Sequence, residues 1–200
     1  MNIKYPNGKQ EFKNTLPKTK AKDLRKSHLG ISFEDAINES NEYYLNKNIA
    51  VIYKKPTPIQ VTKVDYPSRN KAKISEAFYK VPSTTDYNGI YKGKYIDFEA
   101  KSCHESSFAF QRIYVHQIEH LKKVKEHGGI AFLLIEFSAK KKVFVFPIEE
   151  LDRLYQESLN GGRKSITYDT FVELGYEVEI SYQPRVDYIK VIDKIYFKNE

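Results

Sequence analysis

Residues Thr84–Lys101 read TTDYNGIYKGKYIDFEAK, and the prediction of the fold starts from this stretch. Lys92-Gly93 suits a two-residue hairpin turn between runs rich in tyrosine, isoleucine and phenylalanine, which favour strands. If Tyr91 pairs with Lys94, the pairing of every other residue in the two strands follows. This stretch therefore predicts an antiparallel β-hairpin with a defined register.

That register places Asn88 opposite Asp97 and Asp86 opposite Glu99. Because side chains alternate along a strand, Asp97, Glu99 and Lys101 share one face. The other face is apolar and suits a core: Ile96, Phe98 and Ala100. The hairpin is thus predicted to have one charged face and one buried face.

Opposed Asp86 and Glu99 would have Cβ atoms about 5 Å apart, where like charges destabilise a sheet unless something neutralises them. Two carboxylates with further oxygens suit Mg²⁺, which keeps several waters and binds substrate phosphate. Lys101 could hold an attacking water or offset charge on a phosphate. The pattern indicates metal-dependent phosphodiester hydrolysis.

A simpler interpretation stays open at this point. E-x-K is a common pattern in a chain rich in lysine and glutamate, and Asp86 opposite Glu99 could be a solvated edge that Lys101 compensates. A bulge at Asn88-Gly89 would also change the register.

Composition favours a nucleic-acid partner. The 200 residues, 40% hydrophobic and 30% charged, suit one core with an appendage, and 33 basic against 26 acidic residues give a net charge of +7. The single Cys103 excludes an intrachain disulfide. No apolar run approaches the roughly 20 residues of a membrane span. We expect a soluble, cytoplasmic protein without membrane contact.

The chain is predicted to comprise a flexible basic arm, residues 1–27, and a single domain, residues 28–200. Expected helices cover Ser32 to Asn46, a stretch containing Ile118 and Leu121 that ends at Gly128-Gly129, Ile148–Leu159, Thr167–Leu174 and Asp187–Phe197. Expected strands beyond the hairpin are Ile49–Tyr53, Ile59–Val64, Ile130–Phe137, Val143–Phe146 and Glu177–Tyr182.

An insertion at about 56–78 is basic and carries aromatic residues. Such a segment suits a projection that contacts phosphates and stacks on bases, although an ordinary hairpin arm would look the same. The predicted DNA-binding residues in and beside it are Lys54, Lys55, Arg69, Lys71, Lys73 and Lys80.

One alternative chemistry comes from His116-Gln117-Ile118-Glu119-His120. It fits H-x-x-E-H, an inverted zinc-peptidase pattern with His116 and His120 one helical turn apart and Glu119 beside them. Such an enzyme needs a third ligand from another element.

Several motifs resemble the RecU family of Holliday junction resolvases, part of the PD-(D/E)-x-K nuclease superfamily. The matching stretches are Thr84 to Tyr91, Ile96 to Lys101, Tyr5-Pro6-Asn7-Gly8, Ile49 to Ile52, Lys54 to Pro58, Tyr66-Pro67 with Arg69, His116 to His120, and Pro184-Arg185 with Asp187-Tyr188.

The resemblance implies an α/β, restriction-endonuclease-like fold, a central mixed β-sheet flanked by helices with a protruding stalk at about 56–78. It implies a homodimeric endonuclease, dependent on Mg²⁺ with Mn²⁺ as a substitute, that places paired nicks in four-way and other branched DNA during recombination and repair. The RecA recombinase is a candidate partner.

The resemblance also implies roles for particular residues. The metal residues would be Thr84, Asp86, Glu99 and Gln117. The catalytic residues would be Asp86, Glu99, Asp97 and Lys101, with Lys101 as transition-state stabiliser. Independently of the resemblance, Glu34 in the first turn of the first helix and His116 are candidate supporting residues.

Two stretches depart from the family pattern: Leu29-Gly30-Ile31 replaces Arg-Gly-Met, and the connection Ser102 to Tyr114 is atypical. Neither touches the predicted metal site. A module that binds branched DNA without cutting it and a nuclease that reads duplex sequence remain alternatives.

Overall fold

A computed structural model of the chain describes residues 31–68, 72–80 and 84–197. The predicted basic arm lies outside the described residues, as do Arg69, Lys71 and Leu29-Gly30, so these predictions stay untested. All helices and strands below belong to the unit Ser32–Glu200.

In the described residues one helix is followed by six strands, and helices and strands mix in the second half of the chain. The strands are β1 Val51–Lys54, β2 Ile59–Asp65, β3 Lys73–Tyr79, β4 Tyr87–Tyr91, β5 Lys94–Cys103, β6 Ser107–Ala109, β7 Ile130–Phe137, β8 Lys142–Pro147, β9 Ser165–Thr167 and β10 Tyr176–Val178. The helices are α1 Phe33–Asn46, α2 Val115–Glu126, α3 Ile148–Leu159, α4 Tyr168–Leu174 and α5 Tyr188–Tyr196.

Six strands form the central sheet in the order β1-β4-β5-β7-β8-β10. The pair β5 and β7 is parallel and the other neighbours are antiparallel. Because α2 leads from β5 to β7, it can return the chain to the same end of the sheet, which a parallel pair requires. The predicted mixed sheet flanked by helices is confirmed.

Helices cover both faces of this sheet, and each face has its own core. On one face Ile96 and Phe98 pack with Ile37 of α1 and Ile192 of α5. The opposite core draws on α2, α3 and α4 and on alternate residues of β7 and β8: Ile118, Leu121, Leu133, Ile135, Phe144, Phe146, Leu151 and Phe171. β7 is buried on both sides, as its apolar run predicts.

Local signals account well for the helix ends. Ser32 caps α1 by accepting the Asp35 N–H at 3.1 Å, so this predicted start is confirmed. Gly128, with φ at 83°, follows α2 and takes the left-handed conformation that ends helices.

The insertion forms a separate two-stranded sheet from β2 and β3. Its residues are exposed except for half-buried Val64, and its pairing is irregular around Lys63. An exposed hairpin is compatible with both interpretations of the segment 56–78, a DNA-contacting projection and an ordinary hairpin arm.

The connection Ser102 to Tyr114 contains β6, which pairs with β9. Neither strand was predicted, because strands of three residues are too short to show a sequence period. The strand predicted at Glu177–Tyr182 ends at Val178, followed by a single bridge between Ile180 and Val186. Among the described residues, no helix combines the length and apolarity that a bilayer crossing needs.

Candidate active site

The hairpin has the predicted register. Tyr91 pairs with Lys94, and Asn88 pairs with Asp97. No bulge interrupts the pairing at Asn88-Gly89. Glycine is needed at position 89 because a Cβ there would lie 2.1 Å from the Val51 carbonyl oxygen, so only glycine lets β1 approach β4 this closely.

Asp86 lies one residue before β4, where two hydrogen bonds hold it. Its carbonyl oxygen accepts the Lys55 backbone N–H at 2.7 Å. Its Oδ2 accepts the Ala100 backbone N–H at 3.2 Å. The side chain thus reaches the strand that carries Glu99, as the register predicts.

The acidic face is not a solvated edge, so the simpler interpretation does not hold for Asp97 and Glu99. Glu99 is 1% exposed and Asp97 is fully buried. The reason is tertiary: α2 packs over this side of β5, bringing buried Gln117 and half-buried His120 against it.

The Glu99 carboxylate is buried, and by strict geometry neither of its oxygens has a hydrogen bond from the described residues. The Lys101 Nζ lies 2.5 Å from Glu99 Oε1 in a close ion pair, and Gln117 also lies near enough to favour the charged form. A buried anion in this state costs free energy and is a ready ligand for a cation.

Burial and, to a smaller extent, the nearby Asp86 charge raise the pKa of Glu99 from 4.5 to about 7, a shift that Lys101 and Gln117 oppose. Because Gln117 lowers the pKa of Glu99 through its side chain, that side chain must lie close to the carboxylate. Its Oε1 also accepts the Tyr114 backbone N–H at 3.0 Å, so capping of α2 orients this side chain.

These residues fit a divalent cation. Two carboxylates, of which one is deeply buried, match the oxygen ligands of Mg²⁺ and Mn²⁺. The predicted set is Thr84, Asp86, Glu99 and Gln117.

Asp97 lies on the same face but has other partners. Its Oδ2 lies 2.9 Å from Lys55 Nζ, 2.8 Å from the Tyr95 hydroxyl and 3.1 Å from His120 Nε2. The Thr85 hydroxyl donates to the other oxygen. Tyr95, two residues before Asp97, could have been found from strand alternation. His120 stands out in the sequence as part of His116 to His120, but nothing in that motif indicates that it contacts Asp97.

The remaining predicted residues are spread around this centre. Thr84 accepts a hydrogen bond from Lys55 Nζ at 3.1 Å. His116 is exposed and stacks on Tyr114 with ring centroids 5.4 Å apart. Lys73 and Lys80 are exposed on the insertion.

Glu34 does not join the acidic face. It pairs with Lys54 at 2.5 Å. In the sheet, Lys54 lies opposite Tyr87 on the neighbouring strand, and Tyr87 lies opposite Phe98. Directly opposed residues share a face, so the Lys54 side chain starts from the core side of the hairpin and not from the side that carries Glu99.

A cavity of about 360 Å³ connects the acidic centre with the base of the insertion. Its lining includes three lysines and an exposed tyrosine beside Asp86: Lys54, Lys55, Lys80 and Tyr79. Cationic and aromatic groups next to a metal site suit a nucleic-acid strand.

The zinc-peptidase alternative lacks its geometry. Within the part of the chain that the structure describes, no group of three His, Cys, Asp or Glu side chains is placed to hold a metal. His120 contacts Asp97 while His116 stacks on Tyr114.

Comparisons with known proteins agree with this chemistry. The model of the family RecU, "Recombination protein U", matches residues 28–194. Proteins named "Holliday junction resolvase RecU" from Bacillus thuringiensis (strain Al Hakam), Bacillus cereus (strain AH820) and Bacillus anthracis (strain CDC 684 / NRRL 3495) are each 49% identical over 199 residues, covering 98% of this chain and 100% of theirs.

Among solved structures, Archaeoglobus fulgidus Hjc, described as a Holliday junction resolvase from an archaeal hyperthermophile, aligns with a TM-score of 0.40 and 14% identity. The alignment covers 70% of this chain and 94% of that chain.

Proposed function

The chain belongs to the RecU family of Holliday junction resolvases, and from that premise we propose that it is a divalent-metal-dependent endonuclease that resolves four-way DNA junctions by paired nicks in recombination and repair. The observation that carries the proposal is the Glu99 carboxylate, which is 1% exposed, lies beside Asp86 and has the Lys101 ammonium as its close partner.

The metal is proposed to be Mg²⁺, with Mn²⁺ as a substitute, held by Asp86 and Glu99 with oxygens of Thr84 and Gln117. When bound, such a cation polarises a phosphoryl oxygen and lowers the pKa of water for in-line attack.

Lys101 is proposed to offset negative charge that develops on the phosphate. Its side chain is 22% exposed, so it can reach substrate while it remains next to Glu99. The α2 cover over Glu99 excludes water from one side, which strengthens electrostatic interactions there. Gln117, oriented by its cap on α2, is proposed to keep the Glu99 carboxylate turned toward the site.

The DNA backbone is proposed to run through the cavity beside Asp86 and along the insertion. Lys54 and Lys80 line that cavity, and Lys73 lies exposed on β3. Because lysine neutralises phosphate and releases counterions, junction affinity should fall steeply with salt.

The central experiment incubates a labelled four-way junction with wild type, Asp86→Asn and Lys101→Ala, each with Mg²⁺, Mn²⁺ or EDTA. We expect wild type to nick with either metal and to stop with EDTA, and Asp86→Asn to bind the junction without cutting it. A wild type that binds junctions but never nicks them would instead establish a non-cleaving binding module.

Comparing the junction with its linear arms tests the substrate. Preferential cutting of the junction supports a resolvase, whereas equal cutting of both identifies a duplex nuclease. The homodimer and the RecA recombinase as a partner stay predictions; paired nicks on a nearly two-fold symmetric junction call for two active sites, which a dimer supplies.

A further inference from the structure

The segment Thr84–Asp86 lies outside the hydrogen-bonded ladder of the sheet, which begins at Tyr87. Lys55 holds both ends of this segment. Its backbone N–H donates to the Asp86 carbonyl at 2.7 Å, and its ammonium donates to Thr84 Oγ1 at 3.1 Å and Thr85 Oγ1 at 2.6 Å. One lysine therefore holds the segment that ends in a proposed metal ligand.

Asp97 in turn holds the Lys55 ammonium. The carboxylate is fully buried, and the Lys55 side chain is 15% exposed, with 2.9 Å between Nζ and Oδ2. Tyr95, His120 and Thr85 also contact the Asp97 carboxylate. Since an ionised carboxylate offers about four lone-pair sites, these four groups leave it little capacity to bind a metal.

We propose that Lys55 and Asp97 are positioning residues whose buried ion pair holds the Thr84–Asp86 segment so that Asp86 meets Glu99 across the hairpin. The inference rests on the proposed metal-dependent cleavage. It assigns Asp97 a role other than metal ligand and Lys55 a role other than phosphate contact.

Electrostatics alone predicts the opposite effect for Lys55. An ammonium near a cation site repels the cation, so removing Lys55 would tighten metal binding. Removing a group that orients a ligand instead weakens metal binding, commonly by about 10–100-fold. The direction of the change in metal affinity therefore distinguishes electrostatic repulsion by Lys55 from a positioning role.

The test is calorimetric titration of the full chain with Mn²⁺ for wild type, Lys55→Met, Asp97→Asn and the double variant. Methionine keeps the apolar stem and the backbone N–H that holds Asp86. We expect about tenfold or greater weakening in each single variant and little further loss in the double, because both act through the same ion pair.

Lys54→Met is the matched control. It removes a lysine from the same cavity, but that ammonium pairs with Glu34 on the opposite face of the hairpin. Its Mn²⁺ affinity should equal that of wild type.

Junction binding over a salt series separates positioning from phosphate contact. Loss of a phosphate-contacting lysine lowers the magnitude of the log affinity against log salt slope by about 1. We expect that reduction for Lys54→Met and a wild-type slope for Lys55→Met.

Wild-type or tighter Mn²⁺ affinity in folded Lys55→Met overturns the proposal. So does an additive loss in the double variant, which would mean that Asp97 acts independently of Lys55. Circular dichroism verifies folding; if Lys55→Met does not fold, wild-type Mn²⁺ affinity in Asp97→Asn overturns the proposal, and weakened affinity in both Asp97→Asn and Lys55→Arg supports it.

The proposed function can fail separately. A wild type that binds no Mn²⁺ and never nicks a junction defeats the nuclease assignment. A wild type that binds and nicks, with a Lys55→Met variant that binds equally well, defeats the positioning role alone.

Discussion

Replacing Glu99 with glutamine should stabilise the metal-free protein while destroying metal binding. In the wild type, burial and Asp86 raise the Glu99 pKa from 4.5 to about 7. The folded state then favours the protonated form, so stability is greatest below the unfolded pKa and falls as pH rises through the folded pKa. This pKa shift lowers the free energy of unfolding by about 3 kcal/mol between low pH and pH 8.

Glutamine keeps the shape of the side chain and removes the charge. The stability difference between Glu99→Gln and wild type should therefore be small at pH 4.5 and reach about 1–3 kcal/mol in favour of the variant at pH 8, since Lys101 loses a partner but keeps access to water. Other groups titrate in both proteins and cancel in the difference.

Urea unfolding in EDTA at a series of pH values measures this difference. Mg²⁺ added at pH 8 should stabilise wild type by mass action and leave Glu99→Gln unchanged. Glu119→Gln, an exposed carboxylate on α2, is the control and should show no such pH-dependent gain. A gain that is equal at pH 4.5 and pH 8, or a variant less stable than wild type at pH 8, refutes the reasoning.

Three further predictions concern the same hairpin. Because Glu99 must lose a proton to bind a cation, Mg²⁺ affinity should fall as pH drops below about 7 in calorimetric titrations. Lys101→Ala should slow junction nicking by about 10²–10³-fold while Mn²⁺ binding persists; loss of Mn²⁺ binding would contradict its role. Gly89→Ala should lower the free energy of unfolding by more than about 2 kcal/mol, because the new Cβ would clash with the Val51 carbonyl. Gly161→Ala is the control: its Cβ would meet no atom within 4 Å, so it should cost only about 1 kcal/mol from the positive φ of that residue.

Local sequence rules predicted the hairpin because its determinants lie within the hairpin. The Lys92-Gly93 turn sets the register, and alternation from the turn places Asp97 and Glu99 on one face. The same holds for α1, whose cap Ser32 directly precedes its first residue.

The burial of that face could not be predicted from the hairpin. Gln117 and His120 come from α2, and no local pattern shows that this helix will cover Glu99 rather than another part of the sheet. The pairing of Glu34 with Lys54 could not be predicted for the same reason, because Lys54 lies on another element.

The two buried carboxylates of β5 have contrasting environments. Asp97 is surrounded by donors that stabilise its charge within the protein. Glu99, two residues later on the same face, has Lys101 as an ion pair and no hydrogen bond from the described residues, so its negative charge is only partly compensated. A buried carboxylate whose charge is neutralised by protein groups gains little free energy from binding a cation, whereas a poorly compensated carboxylate gains much more. The asymmetry between them therefore favours Glu99 as the ligand and Asp97 as the support, and the Mn²⁺ affinities of Glu99→Gln and Asp97→Asn should differ accordingly, with the larger loss at Glu99.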